Sequence, residues 1–272
     1  MINKLLSYYV NSDISKQEIY AENYFVIENI FGYTKKDILM GKTLSEKEFE
    51  HLENIIQKRC SLKMPVQYVI NSATFMGEKF YVDENVLIPR DDTEILVQTS
   101  INLIKKHNLK SALEIGTGSG IIAITLKNLL NLKITATDIN SEALKIARKN
   151  AKNLDIKFIQ SDLFKNIKEK YDIIISNPPY IPITEKENLQ FEVKNFEPEL
   201  ALFTNDKYGI DTYKKIITQS TNYLNTNGFL VFEIGYNQAE LIKDLFEKNN
   251  YKNIEIIKDV SGHNRVIFAQ KI

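Results

Sequence analysis

The chain has 272 residues, 43% hydrophobic and 26% charged, the balance of an ordinary globular protein with room for a main domain and a smaller one. Lys+Arg and Asp+Glu both number 35, so no net field draws the chain to nucleic acid, and direct nucleic-acid binding is not expected. The single cysteine, Cys60, excludes an internal disulfide, and His51, His107 and His263 lie too far apart in sequence to suggest a zinc site; no metal is expected. The first residues lack a long apolar leader, and no stretch approaches the roughly 20 apolar residues of a membrane helix. The composition therefore reads as that of a cytoplasmic protein.

The N-terminal part reads as helical. Apolar residues from Ile19 to Phe31 recur at mixed three- and four-residue spacing, and Gly32 follows as a helix stop. Ser45, with Glu48 three residues on, has the form of a capping box, and Phe49, Leu52, Ile55 and Ile56 continue it as an apolar stripe. Pro65 ends this run. Tyr68 to Ile70, Ala73 to Phe75 and Phe80 to Val82 have strand character, and Gly77 between the last two suggests a hairpin. The resulting division is a helical domain over 1–72, a linking β-hairpin over 73–88 and a main domain over 89–272.

From residue 89 strands and helices alternate. Strands are expected at Ser111–Ile115, Lys133–Thr137, Ile156–Gln160, Asp172–Ser176 and Phe229–Ile234, with helices between them. Such alternation implies a mainly parallel sheet covered on both faces. The last two strands, Ile254–Ile257 and Arg265–Ala269, are joined by the short turn Ser261-Gly262-His263 and should pair antiparallel at one edge.

Gly116-Thr117-Gly118-Ser119-Gly120 follows the first strand of this domain and opens a helix, so the backbone can approach a ligand at the helix N-terminus. Asp138 ends the next strand about 20 residues on, where a Rossmann-like fold places a carboxylate on a ribose diol. It could instead cap the following helix; the glycine loop before it favours the nucleoside. Glu114, just ahead of the loop, would repel a pyrophosphate but suits a cationic sulfonium or ammonium. With a G-x-G-x-G spacing, this favours S-adenosyl-L-methionine over NAD. Asp162, after the third strand, is placed to accept from an adenine amino group, or else merely begins a loop. Leu163 and Phe164 could flank the ring.

The apolar strand Ile173-Ile174-Ile175 runs into Asn177-Pro178-Pro179-Tyr180. Ligands in open α/β sheets bind outside the carboxyl ends of the strands, so this stretch should emerge beside the glycine loop. A planar –NH₂ group is a poor nucleophile with two N–H donors to be gripped. The Asn177 side-chain oxygen supplies one acceptor and the Pro178 carbonyl another, on a loop stiffened by consecutive prolines. The grip aims the lone pair and stabilises the positive charge that develops during transfer. Tyr180 can stack on the flat group. These residues fit methylation of either an amide or an adenine nitrogen.

Leu113 to Gly120 together with Asn177 to Tyr180 resemble class I methyltransferases that modify such nitrogens. Leu87-Ile88-Pro89-Arg90-Asp91-Asp92-Thr93-Glu94 and Phe196-Glu197-Pro198-Glu199-Leu200-Ala201-Leu202 narrow the resemblance to the HemK/PrmC family of release-factor glutamine methyltransferases. The resemblance implies an α/β fold, a Rossmann-like, seven-stranded, mostly parallel sheet with a small N-terminal helical bundle and a linking hairpin. It implies methylation at N5 of the glutamine in the Gly-Gly-Gln motif of peptide chain release factors one and two. The target alternatives are a ribosomal-protein glutamine or adenine N6. Carried over, Gly116 to Gly120, Asp138, Asp162, Leu163 and Asn177 hold the methyl donor, Asn177 to Tyr180 hold the glutamine amide, and the catalytic group comprises Asn177, Pro178 and Tyr180. Residues 1–72 become the substrate-recognition domain of a monomer. Asp91 stands where the family signature usually has proline, and Leu163 where an aromatic often occurs. Arg90 and Glu197 either pair structurally or touch substrate.

Overall fold

The computed structural model describes residues 5–9 and 14–272. The reading of residues 1–72 as helical takes in 1–4 and 10–13, which lie outside the described residues. The chain forms two compact units: one runs to Ser72 and takes in Gln190–Phe196, and the other comprises Ala73–Leu189 and Glu197–Ile272.

In the first unit, helix Lys16–Phe31 begins at a reciprocal cap, the Ser15 hydroxyl accepting from Glu18 N–H while the Glu18 carboxylate accepts from Ser15 N–H. It stops at Gly32, whose φ of 72° few side chains tolerate. Helix Glu46–Leu62 starts the same way, with Ser45 and Glu48. Val26, Ile27, Leu52 and Ile56 meet in the core between them. Arg59 is buried there, 2.7 Å from Glu22 and also paired with Glu192 of the short helix Phe191–Phe196. Tyr68 to Ile70 is not a strand. Val66–Val69 forms a helical turn, because Pro65 presets its entry and the Pro65 carbonyl accepts from Tyr68 and Val69 N–H. Burial of Val66 and Tyr68 outweighs their strand propensity.

The second unit opens with the hairpin β1 (Ala73–Phe75) and β2 (Glu78–Phe80). Helix Asp92–His107 follows, then β3 (Ser111–Ile115), helix Ile121–Leu129, β4 (Lys133–Asp138), helix Ser141–Ala151, β5 (Ile156–Gln160) and β6 (Tyr171–Ser176). Two short strands, β7 (Ile181–Pro182) and β8 (Phe203–Thr204), pair in parallel. Helix Asp211–Ser220, β9 (Leu224–Glu233), helix Ala239–Lys248, β10 (Tyr251–Lys258) and β11 (Asn264–Lys271) complete it.

The main sheet has seven strands in the order β10-β11-β9-β6-β3-β4-β5. β5, β4, β3, β6 and β9 are parallel; β11 and β10 close the edge antiparallel, as the short turn requires. Alternate residues of the central strands feed opposite cores. Ile173 and Ile175 pack under Leu96, Ile122 and Leu126, joined by Phe75 and Phe80 of the hairpin. Ile174 packs with Tyr213, Ile216, Ile242 and Phe246 on the other face. Each such fully buried side chain contributes roughly 1.5–3 kcal/mol, which explains the unbroken apolar run in β6. Chain progression reverses between β3 and β6, so two loops leave the sheet side by side at that point. Among the described residues, no helix is long and apolar enough to cross a membrane.

Candidate active site

β3 and β6 pair with Ile115 opposite Ser176, and the Ser176 hydroxyl donates to the Ile115 carbonyl at 2.8 Å. Gly116 and Asn177 are therefore neighbours: a Cβ added to Gly116 would lie 4.0 Å from the Asn177 carbonyl oxygen. The glycine loop and the Asn-Pro-Pro-Tyr loop lie side by side.

The glycine loop is held from behind. Gly116 and Thr117 N–H both donate to the Thr137 carbonyl, at 2.9 and 2.8 Å. Gly116, Gly118 and Gly120 have φ of 75°, 53° and 87°. Gly120 is also sterically required, since a Cβ there would stand 2.9 Å from Ile124 Cδ1 and 3.2 Å from Ala147 Cβ. Gly118 has open space where its side chain would be. Thr117 and Ser119 are buried. The Ser119 carbonyl accepts from Asn150 Nδ2 at 2.8 Å.

Glu114 lies near the end of β3, just ahead of the glycine loop. It is 2% exposed and turned into the protein, accepting from the Thr117 hydroxyl at 2.7 Å and Ala123 N–H at 3.1 Å. Through Oε2 it braces the turn from strand to helix, while its Oε1 is buried with no hydrogen-bond partner. Burial pushes its carboxyl up to about 8, against the two hydrogen bonds.

Asp138 stands at the end of β4 and joins the loop. Its Oδ2 accepts from Gly118 N–H and its Oδ1 from Asn140 N–H, each at 2.9 Å. Burial raises its pKa, and the backbone donors oppose that. The following helix is capped by Asn140, which accepts from Glu142 N–H, so Asp138 is not the cap. The segment with Asp162 starts beside Asp138, where Ser161 N–H donates to the Asp138 carbonyl. Asp162 is exposed, and Leu163 is half-buried with φ of 48°. Phe164 is 1% exposed and stacks on Tyr223 at 4.6 Å, so it belongs to the core and does not flank a ligand.

In the second loop Pro178 is buried, while Asn177, Pro179 and Tyr180 are half-buried. Burial pushes the Tyr180 phenol up to about 12, so it stays neutral. Gln238 pins the loop. Its Nε2 donates to the carbonyls of Tyr180 and Tyr208, both at 2.9 Å, and its Oε1 accepts from Gly235 N–H at 2.9 Å. Gly209 gives way to the same carbonyl: a Cβ there would fall 2.0 Å from Tyr180 O. Asn177 Nδ2 lies 3.4 Å from the Thr93 hydroxyl, which donates to Glu233 Oε2 at 2.7 Å. Glu233 is 2% exposed, and burial pushes it up to about 7. Arg90 pairs with Glu197, which is buried.

Thr93, Gly209, Glu233 and Gln238 did not emerge from sequence reasoning as site residues. Glu233 carried a signal, being a carboxylate at the carboxyl end of the apolar strand Phe229-Leu230-Val231-Phe232. Gln238 and Gly209 carried none, since their role depends on a loop arriving from elsewhere in the chain.

The family model for the methyltransferase small domain matches residues 91–194, which spans both loops. The chain is 38% identical over 267 residues to a release factor glutamine methyltransferase of Fusobacterium nucleatum, covering 96% of this chain and 74% of that one. It is 40% identical over 265 residues to one from Bacteroides thetaiotaomicron, covering 94% of each. The chain belongs to the release factor glutamine methyltransferase family. The chain has the class I methyltransferase fold, with its seven-stranded, mostly parallel sheet. A crystal structure of a methyltransferase from Pyrococcus furiosus matches at a TM-score of 0.54 and 19% identity, covering 82% of this chain and 99% of that one, a likeness of fold.

Proposed function

We propose that the protein methylates the N5 amide nitrogen of the glutamine in the Gly-Gly-Gln motif of peptide chain release factors one and two. The observation that carries this reading is the adjacency of Gly116 and Asn177, which sets a nucleoside-type loop against an amide-gripping one. Relatives at 38–40% identity are named release factor glutamine methyltransferases.

The residues fit S-adenosyl-L-methionine. The open face at Gly118 and the half-buried carboxylate of Asp138 form a cradle with a hydroxyl-accepting end. Gly116, Thr117, Gly118, Ser119 and Gly120 would hold the donor through their backbone, Asp138 its ribose and Asp162 its adenine amino group. Leu163 would pack on the ring, and Asn177 would close the site. When bound, the donor supplies an electrophilic methyl group on a sulfonium.

The other residues act on the glutamine. Asn177 Oδ1 and the Pro178 carbonyl accept its two N–H bonds and hold the nitrogen lone pair on one line. The two acceptors stabilise the positive charge that grows on nitrogen. Pro179 stiffens the loop, and the neutral Tyr180 ring packs on the amide plane. The unit that runs to Ser72 is the recognition module on this reading, and the protein works as a cytoplasmic monomer. The test is transfer of labelled methyl from S-adenosyl-L-methionine to purified release factor, with label expected on the Gly-Gly-Gln glutamine. Donor binding without any labelled glutamine would contradict it.

A further inference from the structure

The stretch Leu87 to Glu94 lies outside both loops, yet one of its side chains reaches the reacting end of the site. Thr93 sits in the first turn of helix Asp92–His107 and is 2% exposed. Its hydroxyl has one proton and gives it to Glu233 Oε2 at 2.7 Å. Towards Asn177 it can then act only as an acceptor, and Asn177 Nδ2 is the group that faces it, at 3.4 Å. Rotating the Asn177 amide by half a turn would set its carbonyl oxygen against the lone pairs of Thr93, with the Glu233 carboxylate behind. That arrangement loses a hydrogen bond and places like partial charges together in a buried site.

We propose that Thr93 and Glu233 are positioning residues that fix the Asn177 amide with its nitrogen inward and its oxygen toward the substrate. The inference rests on the reading of Asn177 as the acceptor for the glutamine N–H. An amide turned the other way would present N–H donors to an N–H donor and grip nothing. Glu233 reaches the Asn177 amide both through the Thr93 hydroxyl and by a direct side-chain hydrogen bond, so both groups favour the nitrogen-inward orientation. All three groups come from different segments: a helix start, the loop after β6 and the end of β9.

The experiment uses the full-length protein with release factor as substrate and compares wild type with Thr93→Val, Thr93→Ser and Glu233→Gln. It measures kcat, KM for the release factor, calorimetric donor affinity and Tm. Thr93→Val keeps the volume and removes the hydroxyl; kcat should fall about tenfold to a hundredfold, with donor Kd and KM within about threefold. Thr93→Ser should recover kcat to within about threefold of wild type, because it restores the hydroxyl. Glu233→Gln should lower kcat in the same direction. A Thr93→Val protein with wild-type kcat overturns the inference, as does a Thr93→Ser as impaired as Thr93→Val. If Thr93→Val fails to fold, Glu233→Gln decides: unchanged kcat overturns the inference and reduced kcat with intact donor binding supports it. A wild-type enzyme that labels no glutamine overturns the functional reading and this inference with it. A wild-type enzyme that labels glutamine beside an equally fast Thr93→Val overturns this inference alone.

Discussion

On the proposed function, Asn177 is the residue on which the chemistry turns. Its chain neighbours Ser176 and Pro178 are buried, and its side-chain amide faces Thr93 of another element. Asn177→Ala should lower kcat by about a hundredfold or more, while donor affinity measured by calorimetry changes less than about threefold. Equal loss of both would make Asn177 chiefly a donor ligand. Glu114 offers a prediction of a different kind. Its pKa rises from the ordinary 4.5 to about 8 in the folded protein. A carboxyl raised on folding binds more protons folded than unfolded, so its stabilising contribution is full below about 4.5 and declines as pH rises through about 8. Glu114→Gln should flatten that part of the Tm-versus-pH curve, measured by calorimetry between those limits. Sequence alone named Asn177 and Asp138 correctly as neighbours of a glycine loop, because strand ends in a parallel sheet converge. It could not tell which way Glu114 points. An acid at a strand end either faces the ligand or braces the turn, and only the pleat of β3 decides.

At the scale of elements, the site depends on braces that hold two loops in register. Gln238 bridges the Tyr180 and Tyr208 carbonyls, and Gly209 makes room for that contact. Gly209→Ala puts a Cβ into a carbonyl at a φ of +70°, a position that costs roughly 1–3 kcal/mol in backbone strain before the clash is relieved. The expected outcome is a Tm lower by several degrees and reduced transfer, because the displaced segment carries Tyr180; thermal unfolding and initial rates check it. The alternating strands and helices were legible from residue 111 onward, since apolar runs bounded by glycine or asparagine turns leave few alternatives. Tyr68 to Ile70 misled for a definite reason. A β-branched and aromatic triplet reads as strand, but Pro65 starts a helical turn there and the buried faces of Val66 and Tyr68 stabilise it.

At the scale of the molecule, the chain is more interleaved than its linear order suggests. Gln190–Phe196 packs with the N-terminal helices, although it lies between two segments of the sheet unit. Arg59 holds it through Glu192 while also pairing with Glu22, and the guanidinium side chain is 4% exposed. Removing one member of a buried charge pair leaves the other uncompensated, so Arg59→Ala should destabilise that unit by about 3–5 kcal/mol in chemical denaturation. No sequence pattern announced this excursion, because an ion pair 133 residues apart leaves no local period. On the proposed function, the paired loops together carry out methyl transfer to a glutamine amide. The most direct test is mass spectrometry of release factor after incubation with enzyme and labelled S-adenosyl-L-methionine, beside a release factor whose Gly-Gly-Gln glutamine is alanine. The account predicts one added methyl group on that glutamine and none on the alanine variant; equal labelling of the two, or none on either with the donor bound, would contradict it.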